Sequence, residues 1–348
     1  MSKKILLSDD DITYYLLPGS SGDIALDGKV IEDTIFGQTY KSGFTGPIAW
    51  AVTANAVYKG FPGYVATVKK PGVTTTMTGE AMTLVSGKTY QVTNAAHRIL
   101  NRAASLVVSD NAIDHTVDVL SVDFLFGLVT FRAAYTVTGP ITLAASYFPT
   151  VDIGNFTAYT LTQTANAINN SDIPTLKANG GFETFQPGLK SVKLDLPAVY
   201  DAADGWHAAM IARAEYIIEV NPDGTGAAGS IARGFFRLLT DKKAGNVGAL
   251  EEETLSFELN VPMSTTGPDV ATPFSWAHGT SSPIPTAIKK ALTQFLADLP
   301  IHVEYLSDGT TGWKGSSVIT NLTLTGGMET ANSFAITVQG SDAPIAVP

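Results

Sequence analysis

The chain has 348 residues and a formal net charge of −10, from 22 basic and 32 acidic side chains, and its charged fraction is 16%, against about 25% in ordinary globular domains. The acidic balance excludes a general phosphate-neutralising surface, because nucleic-acid binding rests on Lys and Arg. The absence of cysteine excludes disulfides, thiolate metal sites and cysteine nucleophiles.

Length predicts two or three domains. So low a charge fraction is expected of a surface that partner subunits cover; the alternative is an ordinary β protein with a Thr-rich exterior. The N-terminal stretch carries Lys3 and Lys4 but only residues 5–7 as an apolar run. A secretory signal needs a longer one, so the chain is expected to be made and kept in a cytoplasm. No apolar run approaches the roughly 18 residues of a membrane span.

Residues 46–58 alternate as a strand, with Trp50, Val52, Ala54 and Ala56 on one side. Residues 69–80 read as an exposed loop or hairpin. Residues 94–104 are a candidate helix, although Val92 and residues 106–108 beside them are strand-like. Residues 124–131 and 141–148 read as paired strands, with Gly139 and Pro140 at a turn, and a domain boundary is expected near 150–160. The pattern of 46–58 then returns without a gap at 188–200, an offset of 142 residues (46 to 188). Trp50 falls on Val192, Val52 on Leu194, Ala54 on Leu196, and Tyr58 on Tyr200. Both copies read as strands with the same buried face, which points to one chain carrying two related β domains.

Residues 213–220 and 231–240 are predicted strands separated by an Asn-Pro-Asp-Gly-Thr-Gly turn at 221–226. Residues 255–261, 321–325 and 334–339 alternate cleanly. Residues 262–285 form a Pro-, Ser-, Thr- and Gly-rich link. One helix is clear: over 285–297, Ile288, Ala291, Leu292, Phe295 and Leu296 recur at helical spacing, with Ser281 and Ser282 as candidate caps, Pro283 and Pro285 at the entry and Pro300 as the stop. Residues 341–348 read as a disordered tail.

The search for chemistry yields no catalytic set. Gly87-Lys88-Thr89 lacks the first glycine of a phosphate-binding loop, since position 82 is Met. Asp9, Asp10 and Asp11 are consecutive, so they do not converge on a cation unless the backbone curls. Asp223 lacks the companion acids of a calcium loop. Asp110, Asp114, His115 and Asp118 are a metal candidate set against a polar loop. Residues 19–22 lack the spacing of a nucleophile elbow, and Glu251 to Glu253 read as a charged loop edge. Trp50, Tyr58 and Tyr200 lie at strand positions where packing is the default; Trp206 and Trp313 are candidate interface anchors. No enzyme, cofactor or metal is expected.

The order of these elements resembles the tail tube proteins of long, non-contractile-tailed bacteriophages. The second copy carries the resemblance as Gly180-Gly-Phe-Glu-Thr-Phe-Gln-Pro-Gly-Leu-Lys190 with the strand to Tyr200. The first copy is looser: Phe36-Gly-Gln-Thr-Tyr40, Phe44-Thr-Gly-Pro-Ile48 and then 49–58, with no obvious partner for the 285–297 helix. The helix, the strand 301–306, the run 313–324 and the closing 333–340 are similar as well. So is a β segment common in phage proteins, at 121–131 and 146–149. Together these cover about two-thirds of the chain.

The resemblance implies a mainly β fold of two related tail-tube-like β-sandwich or half-barrel domains. These are expected at 1–155, including a 60–150 β segment, and at 156–345. It implies a structural virion protein, assembled in a bacterial host's cytoplasm and residing in the tail. Sheets of neighbouring subunits would join into a barrel, which removes their edges. Two domains per chain predict trimeric, pseudo-hexameric rings stacked into a tube through which DNA is ejected. Expected partners are other copies, tail terminator and tail-tip proteins, and the tape-measure protein and viral DNA in the lumen, with no membrane. Asp195 and Glu258 are candidate lumen-facing acids, and Lys69, Lys70, Thr75 and Met77 candidate inter-ring residues. The alternatives are a decoration, neck or tail-tip component, or a carbohydrate-binding or adhesive β protein.

Overall fold

Alternating apolar residues become strands throughout. The computed structural model describes residues 3–19, 21–32, 43–58, 64–178, 181–199, 205–223, 229–244, 252–260, 273–279, 282, 284–327 and 331–348. The fold is mainly β, with 23 strands, three α-helices and two 3₁₀ turns among the described residues. The chain forms two compact units, each built from separate stretches. The first comprises Met1–Pro62, Tyr159–Leu194 and Ser282–Pro348; the second comprises Gly63–Ala158 and Asp195–Ser281. The boundary expected near 150–160 coincides with one crossing, Ala158 to Tyr159. The chain also passes between the units after Pro62, Leu194 and Ser281.

In the first unit the strands run Ser21–Glu32, Gly43–Tyr58, Asn332–Gly340, Gly312–Gly327, Ile301–Leu306, Lys4–Ser8, Tyr15–Leu16, all antiparallel. Register puts Val52 opposite Val338, Ala54 opposite Ile336 and Ala56 opposite Phe334, with Leu322 and Leu324 facing Ile336 and Phe334. All of these are buried, so one pleated face supplies the core. The helix Thr286–Ala297 packs on Lys4–Ser8 and Gly312–Gly327 and buries Ile288, Ala291, Leu292 and Phe295. It matches the expected helix to one residue, but Pro285 holds the cap position without a side-chain bond. Ser282 does not cap the helix; its carbonyl instead accepts from the Lys289 ammonium. Asp298, left-handed at φ 57°, ends the helix.

The second unit has two sheets. One runs Thr150–Phe156, Ala66–Pro71, Glu215–Val220, Ser230–Ala244, Glu252–Leu259, with Phe274–His278 also on Ser230–Ala244. The other runs Val119–Asp123, Leu128–Phe131, Thr89–Val92, Thr75–Ser86, Ile141–Tyr147, Val107–Asp110, Ile113–Asp114. Leu125, Val129, Phe131 and Leu143 share a core with Ile217 and Phe235 of the first of these sheets.

Four expectations change. Residues 94–104 hold only the 3₁₀ turn Ala95–His97. There the Asn94 side chain accepts from the Ala96 amide, while Ile99 and Leu100 enter the core instead of a helical stripe. Residues 124–131 are not one strand, because Asp123 accepts from the Leu125 and Phe126 amides and turns the chain. Leu128–Phe131 accordingly pairs with Val119–Asp123 and Thr89–Val92, not with Ile141–Tyr147. Residues 69–80 are neither loop nor hairpin: they are almost all strand, and the turn 72–74 carries the chain from Ala66–Pro71 in one sheet to Thr75–Ser86 in the other, so the two strands do not pair. The tail is ordered: Ile345–Val347 pairs with residues 312–314, and the Trp50 indole donates to the Asp342 carbonyl at 2.6 Å. The aromatic turn at 36–40, residues 224–226 of the expected turn, Ser281, Pro283, Tyr200, Glu251 and most of the 262–285 link lie outside the described residues.

Candidate self-assembly surfaces

A strand paired on one side only offers its other row of N–H and C=O groups to a new partner. Ser21–Glu32, twelve residues long, pairs with Gly43–Tyr58 and with no other described strand. In the second unit Thr150–Phe156 pairs only with Ala66–Pro71 among the described strands. Both carry devices that limit indiscriminate pairing. The first has exposed Asp23 and Asp27 and a register shift between Gly28 and Val30. The second has Asp152 and a shift between Asp152 and Gly154. An edge with charges and a bulge accepts fewer registers than a flat apolar one. The free edge at 21–32 went unread in the sequence. Its alternation, Asp23, Ile24, Ala25, Leu26, Asp27, marks a strand but not how many neighbours it has.

The expected lumen acids sit in different settings. Asp195 is half-buried and accepts from the Ser256 hydroxyl. Glu258 is exposed and shares a recess with Arg213 and Arg237. Of the inter-ring candidates, Lys69 lies within a strand, 2.6 Å from Asp152 and 3.6 Å from Glu219, and Met77 is buried in the core. Lys70 and Thr75 are exposed and flank a turn whose tip, Val73, is 89% exposed. The counter-ions of Lys69 come from strands remote in the chain, so no local pattern announces them.

The chemical candidates resolve as structure. Asp9 pairs with Lys290, Asp11 with Tyr14 and Lys314, and Asp10 takes the Ser8 hydroxyl and the Ile12 and Thr13 amides, so the three carboxylates diverge. Those amide bonds hold the Asp10 carboxyl at about 2. Asp110 is buried and accepts from Tyr135, Thr138 and Gly139. Burial works to raise its pKa, but these donors outweigh it and leave it lowered. The same contact, together with burial, pushes the Tyr135 phenol up to about 12. Asp114 accepts from Thr116, and His115 meets Asp118 at 2.9 Å, so this cluster is a braced loop. Asp223 is buried and accepts from the Ser230 amide. No group of three or more His, Asp or Glu among the described residues is placed to hold a metal. Trp206 is a core residue, edge-on to Tyr216 and Phe257, whereas Trp313 is 45% exposed. No described helix is long and apolar enough to cross a membrane.

The Pro-Gly-Leu-Lys run at 187–190 has a specific use. A Cβ on Gly188 would stand 2.7 Å from the Asn166 carbonyl oxygen, so glycine permits that close approach. Lys190 reaches the end of the helix Thr286–Ala297, donating to the Leu296 carbonyl at 2.9 Å and meeting Asp298 at 2.7 Å. A cation there satisfies an orphan carbonyl and opposes the negative end of the helix dipole. Leu189 between them is 85% exposed.

No family model and no curated protein matches the chain. Among solved structures it is similar to a chain of "Tail of empty GTA particle computed with helical refinement, C6 symmetry", at 16% identity and a TM-score of 0.27, covering 34% of this chain and 87% of that one. It is similar to the same degree to a chain of "Virion of native gene transfer agent (GTA) particle", again at 16% identity and a TM-score of 0.27, covering 34% of this chain and 89% of that one.

Proposed function

We propose that this chain is a structural virion protein of a phage-like tail, polymerising through its sheet edges into stacked rings that form a tube for DNA. The observation that carries the reading is the twelve-residue strand Ser21–Glu32, paired on one side only among the described strands. Each main-chain hydrogen bond added along such an edge contributes about 0.5–1.5 kcal/mol net, so a strand of that length is a substantial docking element. The order of motifs that resembles tail tube proteins supports the same reading. Each chain is proposed to fill two of six places, giving three copies per ring, and the other proposed partners are terminator, tip and tape-measure proteins.

The net charge of −10 suits a channel that DNA must traverse without sticking, because carboxylates repel phosphate and release no counterions. Asp195 of each copy is proposed to face it, while Glu258 lies in a recess with Arg213 and Arg237. Lys70, Val73 and Thr75, at the exposed turn between the two sheets, are proposed to contact the next ring. Electron microscopy of the purified protein tests the assembly: hollow tubes with three chains per ring are expected. Six chains per ring would remove the trimer, and single globular particles at every concentration would remove the tube. Replacing the proposed lumen acids by Lys should slow DNA ejection from otherwise normal tails; unchanged ejection removes that role.

A further inference from the structure

In the second unit, a recess of about 560 Å³ is lined by Met210, Arg213, Arg237 and Glu258, among others. Its charge is unusual for this chain. Arg237 stands opposite Glu215 on one neighbouring strand and opposite Glu258 on the other. The Glu215 carboxylate is already taken, by Arg102 at 2.6 Å and by the Asn260 amide. Arg102 is itself buried, with its guanidinium 4.0 Å above the Phe235 ring. Among the described residues, Arg237 and Arg213 make no side-chain hydrogen bond or ion pair, and both are exposed. The recess therefore presents two guanidinium groups against one carboxylate, on a molecule whose net charge is −10.

Two further observations mark the place. Arg213 follows the helix Trp206–Ile211 in the left-handed region, at φ 50°, a conformation glycine adopts without steric cost and arginine does not. In the lining, Leu239 is 52% exposed. Apolar residues around desolvatable arginines form the composition of a protein-binding hot spot, and planar guanidinium groups are suited to bidentate pairing with carboxylates.

We propose that this recess receives an acidic segment of a second copy of this chain, its carboxylates on Arg213 and Arg237 and an apolar side chain on Leu239. Charge complementarity selects that occupant: a basic recess on an acidic protein fits its own kind better than it fits a basic partner. The inference rests on the self-assembly reading and adds the surface through which copies recognise one another besides their sheet edges.

The test uses the full chain. Arg213→Glu with Arg237→Glu should raise the critical concentration for assembly at least tenfold at 50 mM salt. The pair Arg213→Lys with Arg237→Lys should raise it less, and the urea midpoint should stay that of the unaltered chain. Because the chain has no cysteine, Leu239→Cys carrying a benzophenone maleimide gives a single photocrosslinking probe. In a mixture of isotopically light and heavy copies it should capture an acidic peptide across copies. An unchanged critical concentration, or crosslinks only within one copy or to a segment without acids, overturns the recess while leaving tubes and the tube reading intact. Loss of duplex-DNA binding with assembly unchanged overturns it in favour of nucleic acid. An unaltered chain that stays monomeric at all concentrations overturns both readings.

Discussion

The two copies of the repeated strand keep one pattern and fill it differently. Trp50, Val52, Ala54 and Ala56 are buried in the first, and Val192, Leu194 and Leu196 in the second, so the alternate positions hold. The sizes do not match: one large ring followed by small residues stands against three aliphatic side chains. Trp50 is accommodated by glycines. A Cβ at Gly340 would lie 1.9 Å from its ring, and one at Gly315 2.7 Å away. The slot two residues before the tryptophan diverges more. Lys190 ends a helix with its side chain, whereas Ile48 works with its main chain, accepting from the Glu183 amide at 2.8 Å and donating to the Gly181 carbonyl at 3.0 Å. A repeated strand thus conserves the face that meets its own sheet and adapts the positions that meet something else.

The largest expected effect breaks the comparison at its bulkiest point. Trp50→Ala removes a 2% exposed indole and its bond to Asp342, and should cost about 3–5 kcal/mol. Val192→Ala at the equivalent place should cost about 2 kcal/mol, from two methyl groups at about 0.8 kcal/mol each plus the cavity. Urea unfolding of both variants measures the difference; equal costs would mean the two faces are packed alike after all. Gly340→Ala should be severely destabilising alone and much less so beside Trp50→Val, a non-additivity expected only of residues in contact.

Next comes the glycine of the second copy. Gly188→Ala forces a Cβ against the Asn166 backbone oxygen and two carbons of Ile168, and overpacking of this kind costs about 1–3 kcal/mol. A thermal midpoint equal to that of the unaltered chain would show that the strand can move aside. Slot 48/190 should give smaller numbers. Lys190→Met keeps the stem and loses the charge, so the helix end should weaken by about 1 kcal/mol. Ile48→Val, which leaves the main-chain bonds in place at a half-buried position, should cost about 0.5 kcal/mol. A larger loss from Ile48→Val than from Lys190→Met reverses the assigned roles.

What the sequence could reveal follows the same division. Alternation is written one residue at a time, so the strands at 301–306, 312–327 and 332–340 and the helix at 286–297 were legible, and with them the mainly β fold. Pairing is not local. Nothing near residue 54 announces that its neighbour across the sheet is Ile336, and nothing near residue 62 announces that the chain leaves one unit for another. Lys69 and Met77 read as loop residues because Thr and Gly crowd the segment between and beyond them; their burial and ion pairs depend on strands far along the chain. The recess was illegible for the same reason. One of the two carboxylates opposite Arg237 is engaged by a distant arginine, Arg102.

The smallest effect concerns the anchor of the helix that Lys190 caps. Lys290 on that helix is bonded to Asp9, which raises the lysine's pKa, and the neighbouring Asp10 closes the 8–13 turn. The Asp10 carboxyl is lowered from 3.8 to about 2 by the Thr13 and Ile12 amides and the Ser8 hydroxyl. A depressed carboxyl favours the folded turn fully above 3.8, and that contribution fades as the pH falls through about 2. The Ile12 and Thr13 amide shifts, followed by NMR from pH 5 to pH 1.5, should therefore titrate near 2 and not near 3.8, and Asp10→Asn should abolish the titration. Because the group is solvent-exposed, the change should stay local. The amide of Ile48 should remain unmoved over the same range. A midpoint at the ordinary carboxylate value would show that the Ile12 and Thr13 amides do not hold the Asp10 carboxylate.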